Sequence, residues 1–260
     1  MHLAILAALA AAVVGAPAPP PPHGIAYLAA RDAFIRAPNG SVRRLTRHHD
    51  VDGLSWSPDR KSVLLMRMVE FEPTDYRVTR YELTSRRERT YLAHAFDPAW
   101  SPGARRVAFA RGNDLWVADP TMAWSGEKLV ELGFEPAWSP DGSRLAYKWA
   151  GLWIIDADGT GATQLTTTDD RSPAWAPDGR MIAFVRWSPL PWIWTMHPDG
   201  SGQRRLVPGT SPTWSPDGRR IAFAQFDDDQ SDLASVARNG RGLRRITRTP
   251  RISEVPFDWR

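Results

Sequence analysis

One phrase returns five times along this 260-residue chain: Trp-Ser-Pro or Trp-Ala-Pro, followed by Asp-Gly or a close variant. It reads LSWSPDR at Trp56, PAWSPGA at Trp100, PAWSPDG at Trp138, PAWAPDG at Trp175 and PTWSPDG at Trp214. A partial sixth copy, PFDWR, ends the chain at Trp259. Successive tryptophans lie 44, 38, 37, 39 and 45 residues apart. A period near forty residues, with short alternating strands between turns, is the mark of one four-stranded propeller blade per repeat.

The repeat around Trp138 parses physically. Residues 136–139 make a short innermost strand, and Ser139-Pro140-Asp141-Gly142 a tight turn in which Pro presets φ and Gly closes the bend. Residues 144–149 alternate apolar and polar as a second strand, 152–155 return as a third, and 162–166 form the outer fourth after a Gly-rich turn. The chain ends complement one another. Residues 25–29, 33–36 and 42–46 supply the second, third and fourth strands of a blade that lacks its first, and 255–260 supply a first strand with nothing after it. Joined, they close the ring without open sheet edges. The reading is therefore all-β: a six-bladed β-propeller of four-stranded antiparallel blades over 24–260, its N-terminal blade completed by a C-terminal strand.

The repeat unit resembles that of the TolB-like propeller family. WSPDG, an IAF-type strand, an IWxM or LWxxD strand, a DG turn and an RRLT strand follow in that order. The propeller domains of prolyl-oligopeptidase-like proteins carry a similar unit. The resemblance spans about 24–260 and implies the fold. It does not by itself imply the function, because fold and function are separable. The resemblance implies an α/β domain before the propeller in TolB-type proteins and an α/β-hydrolase domain in the peptidases; neither is expected from these residues.

Residues 3–14, LAILAALAAAVV, are an apolar stretch too short to span a bilayer comfortably, with small residues after it. We read 1–15 as a signal peptide and 16–23, with its run Pro19 to Pro22, as a stiff spacer. The expected location is the periplasm, cell envelope or exterior, with no membrane span left after cleavage. The absence of cysteine excludes disulfides, thiolate metal sites and a cysteine nucleophile. The net charge of +4 comes almost wholly from arginine, with lysine only at Lys61, Lys128 and Lys148. The arginines run through the whole chain rather than along one stripe, so nucleic acid is not expected as a partner.

No catalytic constellation emerges. The nearest approach to a nucleophile elbow, Gly209-Thr210-Ser211-Pro212-Thr213, lacks the second Gly and enters a strand. The one His-rich cluster, His48-His49-Asp50, reads as a polar loop. Asp156 to Gly161 lacks the twelfth-position Glu of a calcium loop. No metal or other cofactor is expected. The recurring tryptophans fit the wedges between blades. The pairs Arg43-Arg44, Arg204-Arg205 and Arg244-Arg245 read as charge that keeps outer edges from pairing with other sheets.

Departures from the repeat carry more information. Connections from second to third strands, and from one blade to the next, open on one face of the ring, and these vary. The opposite face is regular turns. Blade two, counting the composite blade as one, has an excursion over 69–79. Blade five has Trp187-Ser-Pro-Leu-Pro-Trp192 and blade six Phe226-Asp-Asp-Asp-Gln-Ser231. Loops on a rigid scaffold are the usual seat of binding residues. The expected binding residues are Tyr76, Trp187, Trp192 and Asp228. The reading is a monomeric, non-catalytic exported scaffold that binds a protein or peptide through this face. The alternative is a carbohydrate-binding module, or a polysaccharide lyase or hydrolase working at the channel mouth.

Overall fold

The computed structural model describes residues 24–69, 72–120, 126–227, 230–248 and 253–259. Residues 1–23, where the signal and spacer were expected, lie outside them. All regular structure described is β-strand, in six four-stranded antiparallel sheets. Among the described residues no helix is long and apolar enough to cross a membrane.

From the axis outward, blade one is Glu254–Trp259, Ile25–Ala29, Asp32–Arg36 and Val42–Arg44. Blade two is Val51–Trp56, Ser62–Val69, Glu72–Glu82 and Glu88–Ala93. Blade three is Phe96–Trp100, Val107–Arg111, Asp114–Ala118 and Glu127–Val130. Blade four is Phe134–Trp138, Arg144–Lys148, Leu152–Asp156 and Thr163–Gln164. Blade five is Asp170–Trp175, Ile182–Trp187, Pro191–Met196 and Arg204–Pro208. Blade six is Thr210–Trp214, Arg220–Asp227, Gln230–Ala237 and Arg244–Arg245. The closing pairing runs from Ile25 opposite Trp259 to Ala29 opposite Glu254, so both termini share one sheet as expected.

The repeated residues show why the sequence folds this way. In the Ser-Pro-Asp-Gly turn of blade four, the Ser139 hydroxyl donates to Asp141 at 2.6 Å and the Ser143 backbone N–H at 3.0 Å. Ser139 Oγ in turn accepts from Arg144 N at 2.9 Å. These donors, Ser139 first, hold the Asp141 carboxyl down at about 2. The same bonds recur around Asp217 and Asp59. Gly142 closes the turn at φ +72°, whereas Arg60 and Ala104 take the same left-handed place in blades two and three.

The recurring tryptophans fill the wedges. Trp56, Trp100, Trp138, Trp175 and Trp214 are all at most 9% exposed. Trp138 packs on Ala108, Leu115 and Val117 of blade three, and Trp214 on Val185 and Ile193 of blade five. Two of the indole N–H groups reach back to the inner strand of the preceding blade, Trp138 to Ala99 O at 3.1 Å and Trp214 to Ala174 O at 3.0 Å.

The Leu-Thr or Ile-Thr just after the outer strand has a separate role. The Oγ1 atoms of buried Thr46, Thr166 and Thr247 accept a backbone N–H from the third strand of the same blade, that of Ala33, Leu152 and Leu233, each at 2.9 Å. Thr166→Val keeps the shape and leaves the Leu152 N–H without that acceptor. We expect a loss of about 1–3 kcal/mol, read as an earlier midpoint in urea unfolding with an unchanged slope.

One segment differs from expectation. The described residues of 69–79 in blade two, Val69 and 72–79, are strand rather than loop. The hairpin continues past Arg67 opposite Arg77 and Met68 opposite Tyr76, with a register shift beyond. Cross-strand pairing carries the ladder further than the polar composition suggests.

Candidate functional site

The six inner strands surround an open channel of about 490 Å³. Its wall is ringed by Pro98, Pro136, Pro173, Pro212 and Pro256. Proline suits this inner edge, where a missing N–H breaks no ladder bond. At one end stand Pro102, Pro140, Pro177 and Pro216 of the regular turns; at the other, on the variable face, the strands begin.

There the inner strands break register, and the residue before Pro98, Pro136, Pro173 and Pro212 turns left-handed. Asp97, Glu135, Ser172 and Ser211 have φ of 50°, 50°, 50° and 53°. Non-glycine residues rarely adopt this region, and here it recurs in four successive blades around one opening. Each carboxylate reaches the next blade: the Glu135 N–H donates to Asp97 Oδ2 at 3.2 Å, and the Ser172 N–H to Glu135 Oε2. Burial, and then the Glu135 carboxylate beside it, push Asp97 up to about 7, against the bond from the Glu135 N–H.

A raised carboxyl makes a signed prediction. Between the ordinary Asp value and about pH 7 the folded state holds a proton that the unfolded chain has lost. Stability on this account falls as pH rises through that window and is flat above it. Asp97→Asn keeps an acceptor for the Glu135 N–H and removes the titration. The variant should melt a few degrees higher than the parent at pH 8 and equally near pH 4, which a thermal-unfolding series against pH checks.

An aromatic ridge borders this pair. Tyr76, Phe96, Phe134 and Trp149 follow one another at centroid separations of 6.3, 6.0 and 6.2 Å, from blade two to blade four. Phe96 and Phe134 immediately precede Asp97 and Glu135, so the backbone that aims the carboxylates also sets the rings. Burial and the Asp52 carboxylate raise the Tyr76 phenol above its usual range. Asp52 is itself held by both ends of the Arg31 guanidinium, at 2.8 and 2.7 Å.

Tyr76 thus belongs to the ridge, while Trp187 and Trp192 stand in blade five; no ring contact joins the two groups among the described residues. Trp192 lies opposite Arg186 in the ladder and carries the Arg205 guanidinium 4.4 Å above its ring. Trp187, one position beyond Arg186, takes the other face of the blade and is 50% exposed. Asp228 lies outside the described residues. His48-His49-Asp50 does not converge: His49 Nδ1 faces Ala30 O at 2.8 Å and Asp32 at 3.0 Å, and Asp50 pairs with Arg67. Among the described residues no three His, Asp or Glu side chains gather as a metal-ligand set.

Sequence reasoning missed Phe96, Asp97, Phe134, Glu135 and Trp149. A signal existed: FDPAW and FEPAW carry an acid where RSPAW and TSPTW carry serine. It was hidden inside a repeat whose other positions are structural.

Seven large apolar side chains are exposed among the described residues, and five of them belong to the variable face: Leu132, Trp149, Trp187, Leu190 and Phe226. Scattered exposure of this kind is ordinary; here it is biased to one face.

The fold recurs in solved structures. TolB from Acinetobacter baumannii superposes with a TM-score of 0.76 at 17% identity, over 91% of this chain; the chain spans 66% of that protein's length. A putative TolB from Agrobacterium tumefaciens gives 0.72 at 19% identity, over 86% of this chain and 88% of that one. An oligogalacturonate lyase in complex with manganese gives 0.60 at 15%, over 84% and 71%. No curated protein matches the chain by sequence. The profile of the TolB β-propeller domain matches residues 125–256, from the outer strand of blade three to the closing strand, and the chain belongs to that family.

Proposed function

We propose that this propeller is an exported, non-catalytic scaffold that binds a protein or peptide partner through the variable face and channel mouth. The observation that carries the reading is the gathering of exposed apolar side chains, aromatic ridge and acid pair at one end of the channel. Rigid aromatic rings are efficient anchors because they give large contact area for little lost entropy. Tyr76, Trp187, Trp192 and Asp228 are the candidate binding residues. The apolar stretch at 3–14 supports export, and the likeness to TolB structures supports a scaffold at the cell envelope.

Affinity capture from envelope and medium tests it, using the tagged full chain beside a variant with Tyr76→Ala, Trp149→Ala, Trp187→Ala and Leu190→Ser. A partner held by the parent and lost by the variant is the expected outcome. The same partners on both chains would sink the assignment of the face.

A second reading rests on Asp97. A carboxyl poised near neutrality in a channel suits general acid chemistry on a glycan, and one fold neighbour is a lyase. A screen on acidic polysaccharides decides it. Turnover that disappears in Asp97→Asn would replace the scaffold reading, and silence across the panel would retire the enzyme.

A further inference from the structure

The two exposed apolar side chains not on the variable face occupy matching places. Val42, 49% exposed, and Leu243, 51% exposed, stand at the start of the outer strands of blades one and six. These blades are neighbours, packed through Ile25, Tyr27, Ala222 and Leu233. Each apolar residue immediately precedes an Arg pair, Arg43-Arg44 or Arg244-Arg245, and follows an Asn-Gly turn. The turns are built alike, with Asn39 and Asn239 side chains accepting the N–H two residues on, both at 3.0 Å. Blade five has the same Arg pair, but Gln203 takes the apolar place.

The charge around Leu243 is one-sided. Residues 238–248, RNGRGLRRITR, hold five arginines and no carboxylate. Arg238 pairs with Asp178 at 3.2 Å and Arg245 with buried Asp232 at 3.6 Å. Arg241 and Arg244 are exposed with no carboxylate within 4 Å among the described residues. The adjoining turn adds Arg219, its side chain 85% exposed and its Nε 4.0 Å from the Asp217 carboxylate. It also adds Arg220, which donates to Ser235 and to the Gly242 carbonyl rather than to an acid. Arginines of two stretches, 219–220 and 238–245, are thus brought to one rim.

We propose that the outer rim of blades six and one docks on an anionic phospholipid surface, with Leu243 and Val42 dipping into the interface and the arginines around Leu243 meeting lipid phosphates. The apolar residues decide between partners. A polyanion such as duplex DNA would satisfy the arginines but gives an exposed leucine and valine nothing to enter, whereas the boundary of headgroups and acyl chains takes both. The inference is independent of the partner proposed for the variable face.

Vesicle co-flotation tests it, with the tagged full chain and vesicles of phosphatidylcholine alone or in equal parts with phosphatidylglycerol. The parent should bind the anionic vesicles, more weakly as salt rises, and not the neutral ones. Each arginine near such a surface contributes about fivefold in affinity, so Arg241→Gln with Arg244→Gln should weaken binding roughly twentyfold or more. Leu243→Ser should weaken it severalfold with the salt dependence unchanged. Arg86→Gln with Arg87→Gln, on the turn of blade two, removes the same charge elsewhere and should leave binding intact. All these side chains lie on the surface, and near-ultraviolet circular dichroism confirms that the variants fold. Equal binding to both vesicles, no binding, an equal loss in the blade-two control, or release by duplex DNA with retention on DNA instead would each overturn the proposal.

Discussion

A chain ended at residue 252 is expected to lose its folded ring rather than merely fray. The removed strand Glu254–Trp259 is the innermost of blade one and covers Ile25–Ala29, whose five residues are all buried. Without it that strand becomes an open apolar edge at the centre of the molecule. Phe257 leaves the cluster around Leu28 and Trp56, and Trp259 the cluster around Tyr27 and Leu233. The Trp56 N–H loses Asp258 Oδ2 at 3.1 Å, and Ser231 loses the Glu254 carbonyl at 3.0 Å. Domains of this kind are stable by only about 5–15 kcal/mol, and these losses together take most of that margin. The expected result is loss of the near-ultraviolet signal and elution as aggregate. A circular permutant that joins Trp259 to Gly24 through a short linker and opens a surface turn should fold, because Ile25 and Trp259 already lie opposite each other. A truncated chain that melts like the parent would show that the ring closes without this strand.

The second large effect is expected at Asp170. Its carboxylate is fully buried and takes both arms of Arg186, at 2.8 and 2.7 Å, with Thr168 Oγ1 donating at 2.9 Å. Arg186 also lies 4.6 Å above Trp194 and 5.3 Å above Phe184. Asp170→Ala leaves a largely buried guanidinium without its counter-charge. The expected loss is about 3–5 kcal/mol, or a melting temperature lower by roughly 10 °C. Replacing both partners, Asp170→Leu with Arg186→Leu, should recover most of it, since the unpaired charge is then gone. The Arg31–Asp52 pair is the contrast. Its side chains are 42% and 26% exposed, and Arg31→Ala should cost less than about 1 kcal/mol. Similar losses at the two sites would refute the argument from burial.

The architecture was legible because it is written locally and repeatedly. Ser-Pro-Asp-Gly makes its own turn from hydroxyl, carboxylate and a left-handed glycine, wherever it occurs. Tryptophan at a period near forty must fill an equivalent wedge in each blade, and the complementary ends at 25–46 and 255–260 left one way to close the ring. The extended hairpin of blade two was less legible, because pairing of Met68 with Tyr76 depends on a partner strand and not on the composition of either segment.

The sequence by itself determined six blades, their strand order, their closure and the face on which variation accumulates. Only the tertiary structure decided which of those residues meet. Asp97 and Glu135 are 38 positions apart, yet one accepts a bond from the backbone of the other, because adjacent blades bring equivalent positions together around the axis. Tyr76 and Trp149 become the ends of one ridge for the same reason, and the arginines of blade six become a rim. Strand and turn preferences act over a few residues and can be read along the chain. Charge coupling, desolvation and surface patches depend on distance in space, and the ring sets that distance.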